Sequence, residues 1–241
     1  MKKLLKEVIR VLNNEELTNV QYGMLLTVQE ELIIKLKHES NYQVNRKKAQ
    51  KMSEKIKNVQ LGCGNHILAN YINIDINDKA DIYWDIRKSL PFNDNSIENI
   101  FSEHFFEHLD YPVSANRVLE ESYRVLKNGG EIIIGVPDCD FPLNDIYNQN
   151  VKNITTAKEK WYSKRKDVLE NMNTSLDYLN YVMRDQLYHS EYHPHYWGYN
   201  RENLTLMLKK HGFKKIKKWS IDRNIINPKR EWGTLYLIAQ K

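Results

Sequence analysis

Two short apolar segments around a glycine turn limit what this chain can fold into. Val59-Gln60-Leu61 runs into Gly62-Cys63-Gly64-Asn65, and Tyr71-Ile72-Asn73-Ile74 follows and ends on Asp75. The pattern is strand, tight turn, strand, acid. Glycines let the backbone approach a ligand closely, because no Cβ stands in the way. An acid closing the second strand can accept from both hydroxyls of a ribose. This order of parts suits a ligand that contains a nucleoside.

From about residue 56 onward the pattern continues as alternating strands and helices. Apolar runs place strands at 57–61, 71–75, 81–84, 97–102, 131–136, 215–221 and 233–240. A helix near Val113–Leu126 should stop at Lys127-Asn128-Gly129-Gly130, a C-terminal signal. Glu131-Ile132-Ile133-Ile134-Gly135-Val136 then reads as a buried strand halted by Pro137, and a helix over 201–211 ends at Gly212. Alternation of this kind implies an α/β fold with a doubly wound, mostly parallel seven-stranded sheet. One interval is too short for that scheme. Only residues 65–70 separate the glycine turn from the second strand, whereas a parallel crossover takes a dozen residues or more. The first crossover helix is therefore expected to shrink to about one turn.

Residues 1–55 read as an N-terminal helical cap, with Leu4, Leu5, Val8, Ile9, Leu12 and then Leu25, Leu26, Leu32, Ile33, Leu36 at helical spacing. Gly23 and Asn13-Asn14-Glu15-Glu16 mark expected breaks. Residues 56–241 form the α/β domain, interrupted before its last helix by an insertion at 140–200. That insertion is rich in aromatics, among them Tyr147, Trp161, Tyr162, Tyr178, Tyr188 and Trp197. It reads either as a second core layer or as a lid that excludes water from a site.

At 241 residues the chain has room for one such domain and its additions. No apolar run approaches the ~18 residues of a membrane span. The start, Met1-Lys2-Lys3-Leu4-Leu5-Lys6-Glu7, turns charged too soon for a signal peptide. Cys63 and Cys139 make no disulfide framework, so a reducing cytoplasm is the expected compartment. The net charge of +5 gathers partly in Arg46, Lys47, Lys48, Lys51, Lys55, Lys57 and in Lys209, Lys210, Lys214, Lys215, Lys217, Lys218. These are either solvated surface or an attraction for an anion. No nucleic-acid motif accompanies them, so a small anionic partner is expected rather than a polymer.

The glycine turn does not fit a dinucleotide fingerprint. Ile67 occupies the third glycine position, and Asp75 comes only 13 residues after Gly62 (75 − 62), against about 20 in that pattern. A linked series is more specific. Leu61-Gly62-Cys63-Gly64, Asp75, Trp84-Asp85-Ile86, Leu90-Pro91-Phe92, Ser102-Glu103-His104-Phe105-Phe106-Glu107-His108-Leu109 and Arg124-Val125-Leu126-Lys127-Asn128-Gly129-Gly130 occur in order. Together they resemble the class I S-adenosylmethionine-dependent methyltransferases, and most closely a small bacterial branch acting on sugars of surface polysaccharides. The likeness covers about residues 57–138 and, more loosely, 198–240.

The resemblance implies a Rossmann-like fold and S-adenosylmethionine as cofactor. Gly62, Cys63 and Gly64 would pass the backbone against its methionine part. Asp75, with Ile76 beside it, would take the ribose diol. Asp85 would accept from the adenine amino group and Ile86 would pack on the ring. Glu103 and His104 would face the transferable methyl. Many members carry an acid two residues before the first glycine. This chain has Gln60 there, so the cofactor's ammonium would meet an uncharged amide and bind more weakly.

Methyl transfer is an in-line displacement, in which the enzyme chiefly aligns acceptor, methyl and sulfur. A hydroxyl acceptor also needs a base, and a near-neutral imidazole suits that task. His104 is the first candidate, with His193 and His195 in reserve; His108 reads as ordering its loop. Asp138 and Asp140, after the fifth strand, could hold a substrate hydroxyl or be turn acids around Pro137 and Pro142. His189, His193 and His195 read as a pocket wall, and no metal is expected. The lead expectation is O-methylation of a nucleotide-linked or phosphorylated sugar. The alternatives are a lipid-like or quinone-like acceptor, or a protein that binds the cofactor without turnover. Oligomerisation is compatible with all three.

Overall fold

The computed structural model describes residues 1–13, 16–184 and 194–241. Seven strands form one sheet: β1 (Asn58–Leu61), β2 (Ile72–Asp75), β3 (Ile82–Tyr83), β4 (Ile97–Glu103), β5 (Leu126–Pro137), β6 (Lys214–Lys218) and β7 (Thr234–Gln240). Their order is β3-β2-β1-β4-β5-β7-β6. The first five run parallel, and β7 runs antiparallel to both β5 and β6. This is the Rossmann-like, mostly parallel seven-stranded sheet expected from the sequence.

Two helices precede the sheet, α1 (Lys2–Leu12) and α2 (Asn19–Ser53). The start of α2 is fixed by a reciprocal cap, in which the Thr18 hydroxyl accepts from the Gln21 N–H and the Gln21 side chain accepts from the Thr18 N–H. Gly23 does not break it. The helix runs through that position with Gly23 buried, because one glycine in a long helix costs only about 1 kcal/mol.

The crossovers depart from simple alternation. Residues 62–71, 76–81 and 84–96, which connect β1 to β4, contain no helix. The sequence intervals were therefore right, and the first crossover helix is absent rather than shortened. In its place α2 comes from the N-terminus and packs on β2 and β3, placing Ala49, Tyr42 and Met52 against Trp84, Ile74 and their neighbours. Two sheet crossovers carry helices, α3 (Val113–Val125) between β4 and β5 and α8 (Arg201–Lys210) before β6. Gly212, at φ +88°, follows α8 as expected. Lys127-Asn128-Gly129-Gly130 does not end α3, which stops at Val125; β5 already begins at Leu126. Leu126 pairs with Ile97 and is fully buried, so the edge of the sheet captures residues that sequence signals give to the helix end.

Side-chain alternation sorts the core onto the two faces of the sheet. Ile100, Ile132, Ile134, Leu235 and Leu237 face α2, α3 and α8. Phe101, Ile133 and Tyr236 face Leu68, Trp219, Ile221 and Ile226. The second face is thus covered by loops, the one after the glycine turn and the one joining β6 to β7. The lysines of β6 are exposed on an edge strand, where charge discourages pairing with another chain.

The insertion is helical: α4 (Asp140–Tyr147), α5 (Lys152–Lys160), α6 (Lys166–Asn171) and α7 (Ser175–Arg184). Cys139, Ile154, Tyr162, Val168, Met172 and Tyr178 form a core of their own. Trp161, Tyr162 and Tyr178 go into that packing, Tyr147 and Trp197 are exposed, and Tyr188 lies outside the described residues. Trp161 and Trp232 form its border with the sheet. No described helix is long and apolar enough to cross a membrane.

Candidate active site

In an open α/β sheet, ligands bind outside the carboxyl ends of the strands where the strand order reverses. Here the chain moves outward from β1 to β3 and then returns to place β4 beside β1. The crevice between the ends of β1 and β4 is therefore the expected site. Gly62, Cys63 and Gly64 follow β1, and Glu103, His104 and Phe105 lie at the end of β4.

Gly62 and Gly64 have φ of +70° and +51°. This left-handed backbone turns the Gly64 N–H onto Asp75 Oδ2 at 2.7 Å. Asp75 Oδ1 accepts from the Asn77 N–H at 3.0 Å. The acid that ends β2 thus clamps the glycine turn to its own loop, with Ile76 half-buried beside it. A Cβ on Gly64 would meet nothing within 4 Å, whereas one on Gly62 would lie 2.4 Å from the Phe105 ring. Cys63 is buried, and burial pushes its thiol up to about 12, so it is inert.

These residues fit S-adenosylmethionine. Gln60 Oε1, near the end of β1, is buried with no hydrogen-bond partner in the protein; Ser102 Oγ is also unpaired but lies on the opposite, helix-covered face of the sheet. Orphaned buried acceptors and donors are rare and point to an absent partner. The open space before Gly64 supplies room against bare backbone.

Other expected contacts are placed differently. Asp85 is buried, but both its oxygens accept from Arg87, at 2.8 Å from Nε and 3.1 Å from a terminal nitrogen. Arg87 in turn makes a two-pronged bond to Glu31 of α2, at 2.6 and 2.9 Å. Asp85 is thus tied through Arg87 to α2. Ile86 is buried in the main core. Glu103 is buried and already bonded within the protein. Its Oε1 accepts from Tyr236 Oη at 2.6 Å, and both oxygens lie 3.2 Å from the Asn227 N–H. It ties β4 to β7 and to the loop that covers the second face. Asp138 Oδ1 accepts from the Asp140 N–H at 3.0 Å, and Asp140 Oδ1 accepts from Asn200 Nδ2 at 3.1 Å. Both act as turn acids at the mouth of the insertion, and burial raises the Asp138 carboxyl above its usual range.

His104 adopts φ +51°, in the left-handed region, an uncommon state for a non-glycine residue. Thr234 Oγ1 donates to the Arg230 carbonyl. The 2.8 Å bond between His104 Nε2 and Thr234 Oγ1 therefore has the imidazole as donor, which leaves the lone pair on Nδ1. That atom lies 3.4 Å from Glu107 Oε1. Burial, with Arg230 and two other histidines nearby, holds His104 well below its usual value. The ring is neutral, as a base requires, but its lone pair faces Glu107 rather than open space. Burial raises Glu107 to about 8, so its carboxyl carries a proton at neutral pH.

Around this pair the fold brings together His108 and His195, both named by the sequence reading, and Glu107, to which it gave no role. Glu107, His108 and His195 offer ligand atoms all within 4.8 Å of one another. Thr234, Arg230 and Trp161 complete the wall, with the Trp161 and His104 rings 6.3 Å apart. Glu107 sits beside a singled-out histidine, but nothing in a linear pattern shows that it is buried or that residue 195 returns to it. His189 and His193 lie outside the described residues.

Residues 59–134 match the family model of the methyltransferase domain. An uncharacterised protein of Methanocaldococcus jannaschii is 31% identical over 83 residues, 34% of this chain and 39% of that protein. The alignment therefore spans about two fifths of the relative's length. An S-adenosylmethionine-dependent methyltransferase of Thermotoga maritima, described as a possible histamine N-methyltransferase, shares 16% identity, with 86% of this chain and 95% of that chain covered at a TM-score of 0.43. One from Archaeoglobus fulgidus shares 17%, covering 86% and 98%, also at 0.43. The stretch 59–134 is thus similar to a methyltransferase domain.

Proposed function

We propose that the whole protein is a methyltransferase that moves the methyl group of S-adenosylmethionine to a hydroxyl of a small, anionic, sugar-containing acceptor. The observation that carries the cofactor half is the Asp75 clamp on Gly64 at the switch point, beside the unpartnered Gln60 Oε1. Gly62 and Gly64 would lie against the methionine part, Asp75 would use its remaining lone pairs on the ribose, and Gln60 would meet the ammonium. When bound, the cofactor supplies an electrophilic methyl on a sulfonium. The protein's own part is to align the acceptor with it and to exclude water.

Calorimetric titration tests this directly. S-adenosylmethionine and S-adenosylhomocysteine should bind with micromolar affinity and NAD should not bind. NAD binding, or no binding of the first two, would overturn the reading.

The finer acceptor assignment rests on the net charge of +5 and on the Trp161 and Trp232 border. Aromatic faces pack on sugar rings, and lysines meet phosphates. His104 is a positioning residue in this reading, because Thr234 holds its ring beside the Trp161 wall. His104→Ala should lower turnover about 100-fold on a nucleotide-sugar acceptor, with S-adenosylmethionine affinity within about threefold of wild type, a barrier change near 2.7 kcal/mol. His104→Gln, which keeps a donor toward Thr234, should recover part of that loss. Full turnover in His104→Ala would remove the role.

A further inference from the structure

We infer that Glu107, His108 and His195 form a binding site for one divalent transition-metal ion of the zinc class. One donor atom from each residue lies within 4.8 Å of the other two. The His108 and His195 rings are 4.9 Å apart, centre to centre. The group joins two distant parts of the chain. Glu107 and His108 lie in the 3₁₀ turn Phe106–His108 after β4, and His195 lies on the segment that returns from the insertion. The two segments are held in register by a main-chain bond from the Tyr196 N–H to the Glu107 carbonyl at 2.7 Å and by the Tyr199 side-chain hydroxyl, which donates to the Phe106 carbonyl at 3.3 Å.

Two features distinguish this from an accidental cluster. The first is Glu107. It is 1% exposed, and neither carboxylate oxygen has a hydrogen-bond partner. A buried carboxyl without partners is costly, and a cation between it and two imidazoles removes that cost. The second is ring orientation. His108 Nδ1 lies 3.3 Å from the Pro194 carbonyl, and His195 Nδ1 lies 2.8 Å from the Val182 carbonyl. A carbonyl can only accept, so each neutral ring keeps its proton on Nδ1 and its lone pair on Nε2. An Nδ1–H held by a backbone carbonyl is the usual outer support of a metal-bound histidine.

Two imidazoles and one carboxylate suit zinc and its neighbours rather than calcium or magnesium, which take oxygen ligands. Three protein ligands also leave one position of a tetrahedral ion open. That position would take water, or the acceptor's oxygen. This last role rests on the methyltransferase reading, whereas the site itself stands on the geometry. Metal binding would replace the Glu107 proton, as deprotonation of a ligand requires. It would also cross-link the insertion to the end of β4.

The test uses the full chain, stripped with a chelator, desalted, and titrated with Zn²⁺ by calorimetry and with Co²⁺ by visible absorption. One equivalent of Zn²⁺ should bind at micromolar affinity or tighter, and Co²⁺ should give the visible bands of a four- or five-coordinate ion. Glu107→Gln and His195→Ala should each weaken Zn²⁺ binding by at least ~100-fold, with circular dichroism confirming that each remains folded. His211→Ala, a histidine outside the group, should bind as wild type does. If the wild-type chain takes up no stoichiometric Zn²⁺, or if both site variants bind it normally, the site does not exist. S-adenosylmethionine titrated into the same stripped protein separates the two readings. Cofactor binding without Zn²⁺ binding overturns only the metal site, and Zn²⁺ binding without cofactor binding overturns only the methyltransferase.

Discussion

Asp75→Ala should abolish S-adenosylmethionine binding, lowering affinity by at least ~100-fold, which corresponds to about 2.7 kcal/mol. Two losses combine. The carboxylate proposed to take the ribose hydroxyls disappears, and hydrogen bonds to a charged group are worth roughly 1.5–3 kcal/mol each. The Gly64 N–H, held at 2.7 Å, and the Asn77 N–H, held at 3.0 Å, also lose their acceptor, so the glycine turn no longer has its shape fixed. Asp75→Asn separates the two. Its amide oxygen can still accept from Gly64 while its NH2 faces the Asn77 N–H, so the turn keeps one of its two ties and the charge is gone. Calorimetry on all three proteins gives the answer. An Asp75→Ala protein that binds the cofactor within about threefold of wild type would remove the ribose assignment.

Gly62→Ala should be the most damaging glycine substitution in the site. Its φ of +70° makes any other residue pay roughly 1–2 kcal/mol. The added Cβ would also lie 2.4 Å from Phe105 ring carbons. Forcing a methyl into a filled space costs typically 1–3 kcal/mol. The sum, about 3 kcal/mol, should lower Tm by roughly 6–12 °C for a chain of this size. Gly64→Ala makes the control, because its Cβ would meet nothing within 4 Å. It should lose only the left-handed strain, yet weaken cofactor binding, because the methyl enters the space before the turn. Thermal melts of the two variants should therefore differ by several degrees. Equal melting temperatures would mean that Phe105 does not hold Gly62 in solution.

Most of the cofactor half was legible in the linear pattern because it is local. Gly62, Gly64 and Asp75 lie within two short strands and one loop, and strand alternation fixes where such residues emerge. Locality does not show which acids already have protein partners, as Asp85 and Glu103 do. Both follow strands at positions that suit ligand contact, yet Arg87 and Tyr236 occupy them. A nearby charge or hydroxyl brought in by α2 or β7 decides whether an acid is open. The insertion's aromatics were visible as a list, but Tyr162 and Tyr178 turn into a core of their own.

The sequence by itself determined the strands, the glycine turn and the acid that clamps it, because these depend on backbone freedom and on neighbours a few residues away. Only the tertiary structure decided what replaces the missing crossover helices and which acids are already paired. It alone placed Glu107 beside two histidines, one of them on the far side of the insertion. Burial and the meeting of distant segments set those outcomes, and neither is a property of residues taken in order.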